Sequence, residues 1–144
     1  MEIRNLKADD MESLSKLYYQ FWNETSNIEK MEQKFSDLQK NSSYIFLCAV
    51  EDGHLVGSVM GVVCEELYGE CTPFLVVEDM VIDAEYRKRG IGKALFRELE
   101  KQAIAKGCAQ VILVTEENRK DACGFYESIG FHPSKNRGYK KKLI

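Results

Sequence analysis

The segment "PFLVVEDMVIDAEYRKRGIGKALFRELEKQAIAKG", residues 73–107, contains the pattern that decides the fold. Its first ten residues, Pro73–Ile82, form a nearly continuous apolar run that only Glu78 and Asp79 interrupt. A short run of this kind, rich in β-branched residues, predicts a buried central strand that carries two carboxylates.

An amphipathic helix follows this strand. Ile91, Leu95, Leu99 and Ala103 recur every four residues, which is the spacing of a buried helix face. Gly107 occupies the position just after a helix C-terminus, where glycine is favoured. The segment therefore predicts a strand, a basic glycine-containing loop and a helix in succession.

The flanking sequence continues the alternation of strands and helices. An Asp-Gly pair, Asp52–Gly53, separates two β-branched runs and predicts a hairpin, and Asn27 is placed to cap a helix. The order β-α-α-β-β-β-α-β-α-β predicts an α/β fold with a mixed sheet. Since no repeat or linker interrupts it, we expect one domain over residues 1–144. The further strands are predicted at 2–7, 44–50, 54–64, 109–115 and 138–144, and the further helices at 8–23, 28–40 and 119–130.

Charge is unevenly distributed along the chain. The net charge of −3 divides into −9 for residues 41–86 and +8 for residues 87–144, with the remainder on residues 1–40. If these segments face one cleft, the middle segment attracts a cation and the C-terminal segment attracts an anion. The same charges are equally compatible with solvated edges of strands and loops. An acidic chain does not favour nucleic acid as a partner.

The N-terminus and the cysteines indicate a protein of the cytosol. "MEIRNLKADD" has no apolar signal region and no apolar run is long enough to cross a membrane, so we expect a cytoplasmic location and no membrane partner. The five cysteines form no C-x-x-C pair and have no nearby histidine. We expect reduced, mostly buried thiols and no metal site.

The loop from Arg87 to Lys93 has the composition of an anion site. Glycines and unpaired N–H groups at a helix N-terminus accept an anion, and neighbouring cations strengthen the contact. The loop is neither a G-x-x-x-x-G-K-[ST] nor a G-x-G-x-x-G motif. Alone, it is also compatible with an ordinary turn that has a solvated basic face.

Two motifs together resemble the GNAT superfamily of N-acetyltransferases. The family signature Q/R-x-x-G-x-G/A is met by Arg87, Gly90 and Gly92, after a strand that contains "EDMVI". Downstream, "ACGFYESIGF" (Ala122–Phe131) is similar to the family's A-x-x-F-Y-x-x-x-G-F. The resemblance extends over the whole strand order and implies a mostly antiparallel sheet flanked by helices, with acetyl-CoA as co-substrate and no metal.

The resemblance also implies which residues contact acetyl-CoA. The loop would hold the pyrophosphate, and the backbone of the preceding strand would run beside the pantetheine arm and polarise the thioester carbonyl. The family often has an asparagine seven residues before the motif tyrosine, but that position is Arg119 and the asparagine is Asn118. Asn118 is therefore either a cofactor contact or a helix N-cap. The residues expected at the cofactor are Met80, Val81, Ile82, Arg87, Lys88, Arg89, Gly90, Ile91, Gly92, Lys93 and Asn118.

Two residues are candidates for proton transfer. An alkyl ammonium must lose a proton before its nitrogen attacks a thioester, and a carboxylate accepts that proton through water. Adjacent strand residues face opposite sides, so Glu78 and Asp79 are not interchangeable. Glu78, which shares parity with Met80 and Ile82, is the expected base or water-orienting group, with a structural ion pair as the alternative. Tyr126 matches the family tyrosine that protonates the CoA thiolate, and its alternative role is core packing.

The acceptor is left open among several primary amines. Acidic residues before and within the central strand, together with aromatic residues of the first helix, suit a small cationic amine such as a polyamine or amino sugar. The alternatives are a protein lysine or N-terminus, an aminophosphonate or amino-sugar phosphate bound by basic residues of 135–142, and a non-catalytic acyl-CoA-binding module. A homodimer is possible. The residues that favour a cationic acceptor are Tyr18, Tyr19, Phe21, Trp22, Glu65, Glu66, Glu70, Glu78 and Asp79.

Overall fold

A computed structural model describes residues 1–133 and 135–144 of the chain. In this part the elements follow the order β-α-α-β-β-β-α-β-α, as predicted up to the last helix, and short 3-10 turns at Ala8–Asp10 and Ala84–Tyr86 precede α1 and α3. The strands are β1 (Glu2–Asn5), β2 (Tyr44–Glu51), β3 (His54–Cys64), β4 (Phe74–Ile82) and β5 (Val111–Ile112); the helices are α1 (Met11–Trp22), α2 (Ile28–Leu38), α3 (Ile91–Ala105) and α4 (Lys120–Ser128).

The strands form one sheet in the order β1-β2-β3-β4-β5. Neighbouring strands are antiparallel except for β4 and β5, which are parallel. Asp52 and Gly53 both have positive φ, +50° and +79°, as the predicted hairpin turn requires. The predicted α/β fold with a mixed, mostly antiparallel sheet is confirmed.

Two glycines of β3 allow α3 to lie close to one face of the sheet. A Cβ atom built on Gly61 would lie 2.8 Å from Leu99 Cδ1, and one built on Gly57 would lie 2.7 Å from Ile82 Cδ1 and 3.2 Å from Leu95 Cδ1. A larger residue at either position would force these side chains to shift, so the two glycines provide the space that the α3 leucines occupy against the sheet. The predicted core face of α3 is confirmed, because all four of its residues are buried.

Helices α1 and α2 cover the opposite face. Ser58, which is paired with Cys48, neighbours Gly57 in β3 and therefore faces away from α3. Cys48 packs in a cluster with residues of both helices, including Met11 and Phe35. Asn27 caps α2 by accepting a 2.9 Å hydrogen bond from the Lys30 N–H, as predicted.

The chain divides into two compact units, Met1–Ile112 and Leu113–Ile144. The sheet and α1–α3 belong to the first unit, and α4 belongs to the second. The strand predicted at 109–115 is shorter than expected, since only Val111 and Ile112 pair with β4. The strand predicted at 138–144 is wrong: these residues have no strand geometry and are exposed. Three consecutive lysines there favour solvation over sheet burial.

An ion pair fixes the chain between β1 and α1. Arg4 donates to both carboxylate oxygens of Asp10, with Nη1–Oδ2 at 2.7 Å and Nη2–Oδ1 at 2.9 Å. The Lys7 N–H donates to the same carboxylate at 2.7 Å. The hydrogen bond from Arg4 is the main reason that the pKa of Asp10 lies below its usual value. The charged carboxylate is thus favoured in the folded state.

We expect Asp10→Asn to lower the free energy of unfolding by about 1–3 kcal/mol near neutral pH, since it weakens hydrogen bonds to a charged group. Because the pKa of Asp10 is lowered in the folded state, its carboxylate stabilises the fold at pH values above the unfolded pKa of about 3.9. This stabilisation is lost as the pH falls through the folded pKa. The difference from the wild type should therefore shrink in acid. Urea unfolding at several pH values measures it.

Asp9→Asn is the matched control, because Asp9 is adjacent and exposed. It should leave stability almost unchanged across the same pH range. A loss for Asp10→Asn that is no larger than the loss for Asp9→Asn would contradict a stabilising role for the ion pair.

Candidate active site

The central strand β4 contains a β-bulge at its carboxylate pair. Glu78 lies opposite Met60 of β3, and Val81 lies opposite Ser58. Between these pairs β3 has one residue and β4 has two, so β4 carries an extra residue. Asp79 has a φ of +52°, which is uncommon for a residue other than glycine. Such backbone conformations are concentrated at functional sites.

The bulge corrects the prediction that Glu78 shares a face of β4 with Ile82. Met60 and Ser58 are two residues apart and share a face of β3, so their partners Glu78 and Val81 also share a face of β4. Ile82 lies on the other face, next to Gly57 and α3. Glu78 therefore lies on the face that α1 and α2 cover, and the simple alternation along β4 ends at Asp79.

The two carboxylates lie in different environments. Glu78 is exposed, whereas Asp79 is half-buried. Burial raises the pKa of Asp79, and the nearby charge of Glu78 raises it further. Neither residue takes part in an ion pair in the described part of the chain, so the alternative structural role for Glu78 finds no partner there. The bulge thus presents negative charge without a compensating cation.

An aromatic pair of α1 lies on the same side of the molecule. Burial raises the pKa of the Tyr18 phenol, and the Asp79 carboxylate raises it further, which places the two side chains close enough to interact. The Tyr18 and Trp22 rings meet edge-to-face with centroids 5.1 Å apart. Trp22 remains partly exposed. An aromatic surface therefore adjoins the bulge.

The bulge coincides with an open edge of β4. Within the described residues β5 pairs with Leu75 and Val76 alone, so β4 has no strand neighbour on that side from Val77 to Ile82. Backbone N–H and C=O groups on this edge are available to another extended chain, as in strand addition. The predicted cofactor-binding residues Met80, Val81 and Ile82 all lie on this stretch.

The basic loop leads from β4 into the N-terminus of α3. Gly90 is the N-cap residue with φ +82°, and no side chain caps the helix. Lys88 also has a positive φ of +61°. Arg87 Nε donates to the Ile82 carbonyl at 3.1 Å, which ties the loop to the end of β4. The Arg89 guanidinium lies 4.8 Å from the centroid of the Tyr86 ring.

The predicted anion site therefore has suitable geometry. The first N–H groups of a helix have no intrahelical partner, and the positive end of the helix dipole lies there. A Cβ atom at Gly90 would meet nothing within 4 Å, so the loop surface is open at this point. Arg87, Lys88 and Lys93 are exposed around it.

Helix α1 is connected to the segment before the loop. Gln20 Nε2 donates to Asp83 Oδ2 at 2.9 Å, and the Ala84 N–H donates to Gln20 Oε1 at 3.4 Å. Both bonds link residues more than sixty positions apart in the sequence. The Gln20 side chain thus connects α1 to the segment that precedes the basic loop.

The second unit contains the remaining predicted residues. The N-cap of α4 is Arg119 and has no side-chain capping bond, so the alternative role of Asn118 as N-cap is wrong. Asn118 instead lines an open depression with Glu116 and Glu117. Tyr126 is half-buried, and its ring packs edge-on against Phe125 and Phe131 at 5.3 and 5.8 Å.

Two features of the structure were missed by reasoning from the sequence. The bulge at Asp79 has no signal in the residue pattern beyond the carboxylate pair itself. Thr115 Oγ1 is buried without a hydrogen-bond partner, the one such side-chain nitrogen or oxygen in residues 1–133 and 135–144. No motif marks this threonine.

The cysteines are free, as predicted. They are less buried than predicted, because Cys48 alone is fully buried and Cys71 is exposed. Burial raises the pKa of Cys48 to about 11, which disfavours the reactive thiolate. In the described residues no group of three or more histidine, cysteine or acidic side chains is arranged to hold a metal ion. No helix in that part is long and apolar enough to span a membrane.

In this α/β fold a bulged strand with an open edge is followed by a basic loop at a helix N-terminus, and the family match identifies the chain as an acyltransferase. The chain belongs to the Acetyltransferase (GNAT) family, whose family model matches residues 10–131, and it is an N-acetyltransferase of this family. The resemblance seen in the two motifs is confirmed.

Individual proteins agree with this assignment. The chain is 30% identical over 147 residues to acetyltransferase ECA0875 of Pectobacterium atrosepticum, covering all of this chain and 96% of that protein. The fold is similar to glucosamine-6-phosphate N-acetyltransferase of Arabidopsis thaliana, with a TM-score of 0.87, 22% identity and coverage of 99% and 98%. It is also similar to the aminoglycoside 6'-N-acetyltransferase AAC(6')-IG of Acinetobacter haemolyticus, with a TM-score of 0.80, 18% identity and coverage of 100% and 99%.

Proposed function

We propose that residues 1–144 form one catalytic domain that transfers the acetyl group of acetyl-CoA to the primary amine of a small cationic acceptor. The observation that carries this proposal is the uncompensated pair of carboxylates at the β4 bulge. Asp79 is half-buried beside an aromatic side chain and has a raised pKa without a cationic partner. An ammonium group bound there would supply the missing charge.

The co-substrate would bind along β4 and the basic loop. Its pyrophosphate is proposed to accept hydrogen bonds from the N–H groups of residues 90–93 and to contact the side chains of Arg87–Arg89. The open N-terminus of α3 and the positive φ of Gly90 support this placement. Its pantetheine arm is proposed to follow the open edge at Met80–Ile82. Asn118, which lines the depression before α4, remains a proposed contact.

A cationic acceptor is favoured over an anionic one for this site. A cation is attracted by the two carboxylates and by the face of an aromatic ring, such as those of Tyr18 and Trp22. One structural neighbour is named for aminoglycosides and another for glucosamine 6-phosphate, so this fold accepts amines of different charge. The bulge supports the cationic class, which includes polyamines and aminoglycoside-like sugars.

The proposed reaction is a direct transfer. A proton leaves the acceptor ammonium, whose pKa is about 10, and passes through water to the Glu78 carboxylate. The amine nitrogen then attacks the thioester carbonyl carbon, so that a C–N bond forms and the C–S bond breaks. The Tyr126 phenol is proposed to give its proton to the departing thiolate, and the second proton that the nitrogen loses as the amide forms restores the phenol. The backbone at the bulge would stabilise the negative charge on the carbonyl oxygen.

An acceptor panel tests the proposed function. Purified protein and acetyl-CoA are offered polyamines, aminoglycosides, amino acids, amino-sugar phosphates and peptides, and the release of free CoA thiol is measured. We expect the highest kcat/KM for an acceptor with two or more ammonium groups. A preference for amino-sugar phosphates or for peptides would contradict the cationic class while leaving the enzyme assignment intact.

Substitution of the two proton-transfer residues tests the mechanism. Glu78→Gln should lower kcat/KM by about 10²–10³-fold well below the pKa of the acceptor amine, and the deficit should shrink as the free amine becomes abundant. Tyr126→Phe should lower kcat with near-normal affinity for acetyl-CoA. Rates measured from pH 6 to about pH 10 with the best acceptor give both results. A deficit of Glu78→Gln that is constant with pH would indicate positioning rather than proton removal.

Blocking the loop tests the co-substrate site. Gly92→Trp places a bulky ring at the N-terminus of α3 and should abolish the stabilisation by CoA in a thermal unfolding assay. Ile104→Trp is the matched control, because Ile104 is 72% exposed near the other end of the same helix. Its stabilisation by CoA should equal that of the wild type. Equal stabilisation of the Gly92→Trp variant would exclude this loop as the pyrophosphate site.

A further inference from the structure

The side-chain amide of Gln20 makes two hydrogen bonds outside its own helix. Its Nε2 donates to Asp83 Oδ2 at 2.9 Å, and its Oε1 accepts from the Ala84 N–H at 3.4 Å. Both ends of one amide are therefore used on two consecutive residues. Gln20 is itself exposed, and an exposed glutamine loses rotamer freedom when it is held at two points. The bonds hold a segment of backbone at this cost.

Asp83 is the residue from which the turn before the basic loop is built. Its N–H donates to the Val56 carbonyl of β3 at 2.9 Å. Its Oδ1 accepts from the Glu85 N–H at 2.9 Å, and its carbonyl accepts from the Tyr86 N–H at 3.0 Å. One carboxylate oxygen of Asp83 thus shapes the turn, while the other oxygen receives the Gln20 amide and connects the turn to α1.

The turn leads directly into the basic loop. Arg87 follows it in the sequence, and residues 87–90 are all exposed. Gly90, at the far end of the loop, has a positive φ of +82°. The Arg87 side chain bonds back to the Ile82 carbonyl, which precedes the turn. The orientation of this exposed loop therefore depends on the turn, and the turn is held to α1 by Gln20.

We propose that Gln20 is a positioning residue for acetyl transfer: by holding Asp83 and Ala84, its amide keeps the basic loop in the orientation that binds the pyrophosphate of acetyl-CoA. This inference rests on the proposed function, in which the loop is the pyrophosphate site. Gln20 touches no reacting atom in this scheme. It raises the fraction of molecules whose loop is competent to bind, and the apparent affinity of a ligand is proportional to that fraction.

Gln20→Ala tests the proposal by removing both hydrogen bonds. Its affinity for CoA should fall about 3- to 10-fold, which is the range of one net hydrogen bond. The KM for acetyl-CoA should rise while kcat changes little, because the loop binds a part of the co-substrate that does not react. Calorimetric titration with CoA and steady-state kinetics with the best acceptor measure these effects.

Gln33→Ala is the matched control for this substitution. Gln33 is an exposed glutamine of α2, and its Nε2 donates to Asp37 of the same helix at 3.3 Å. Its removal deletes an amide hydrogen bond without touching the turn or the loop. CoA affinity and both kinetic constants should therefore equal those of the wild type.

Reversal of donor and acceptor gives a sharper test. Gln20→Glu alone places a carboxylate against the Asp83 carboxylate, and Asp83→Asn alone places one NH2 group against another, so each should weaken CoA binding. In the double variant the new carboxylate accepts from the new amide and from the Ala84 N–H, which restores both bonds. We expect its affinity for CoA to return to within about twofold of the wild type, instead of showing the two losses added together.

Three outcomes would overturn the inference. Normal CoA affinity of Gln20→Ala, with or without a lower unfolding temperature, would limit Gln20 to a role in stability. Losses that simply add in the double variant would mean that the effect does not pass through this hydrogen bond. In both cases wild-type binding of CoA would leave the proposed function intact. If the wild-type protein does not bind CoA, the proposed use of acetyl-CoA fails and the role of Gln20 fails with it.

Discussion

One extra residue in β4 is the constraint on which the site depends. The bulge at Asp79 changes which face of the sheet the later residues of the strand occupy, so Glu78 faces α1 and α2 while Ile82 packs near α3. It lies on the stretch of β4 that has no β5 partner. The two carboxylates and the open backbone edge thereby lie within a few residues of each other on β4, and the aromatic residues of α1 adjoin them.

Close packing fixes the other part of the site. Gly57 and Gly61 leave room for the leucines of α3 against the sheet, which fixes the start of that helix relative to the end of β4. The loop between them is held further by the bond from Arg87 to the Ile82 carbonyl. Positive charge is thus placed at the helix N-terminus, and negative charge is kept at the bulge a few residues earlier. The negative charge of residues 41–86 thus includes the bulge carboxylates, and the positive charge of residues 87–144 includes the cations of the basic loop.

The sequence predicted the order of elements well because that order depends on local periodicity and turn residues. The face of α3, the Asp52–Gly53 turn and the Asn27 cap each follow from a few neighbouring side chains. The bulge could not be predicted, since it depends on how β4 pairs with β3. For the same reason the face occupied by Glu78 was misassigned. The predicted strand at 138–144 failed because apolar residues flanking a lysine run do not compensate for its solvation.

The amide of Gln20 couples two elements that lie far apart in the sequence. It bonds to both Asp83 and Ala84, so α1 and the approach to the basic loop are mechanically coupled. A ligand that moves either element must therefore break these hydrogen bonds or move the other element as well. The link consists of two exposed hydrogen bonds made by one side chain, so a single substitution at Gln20 would remove it.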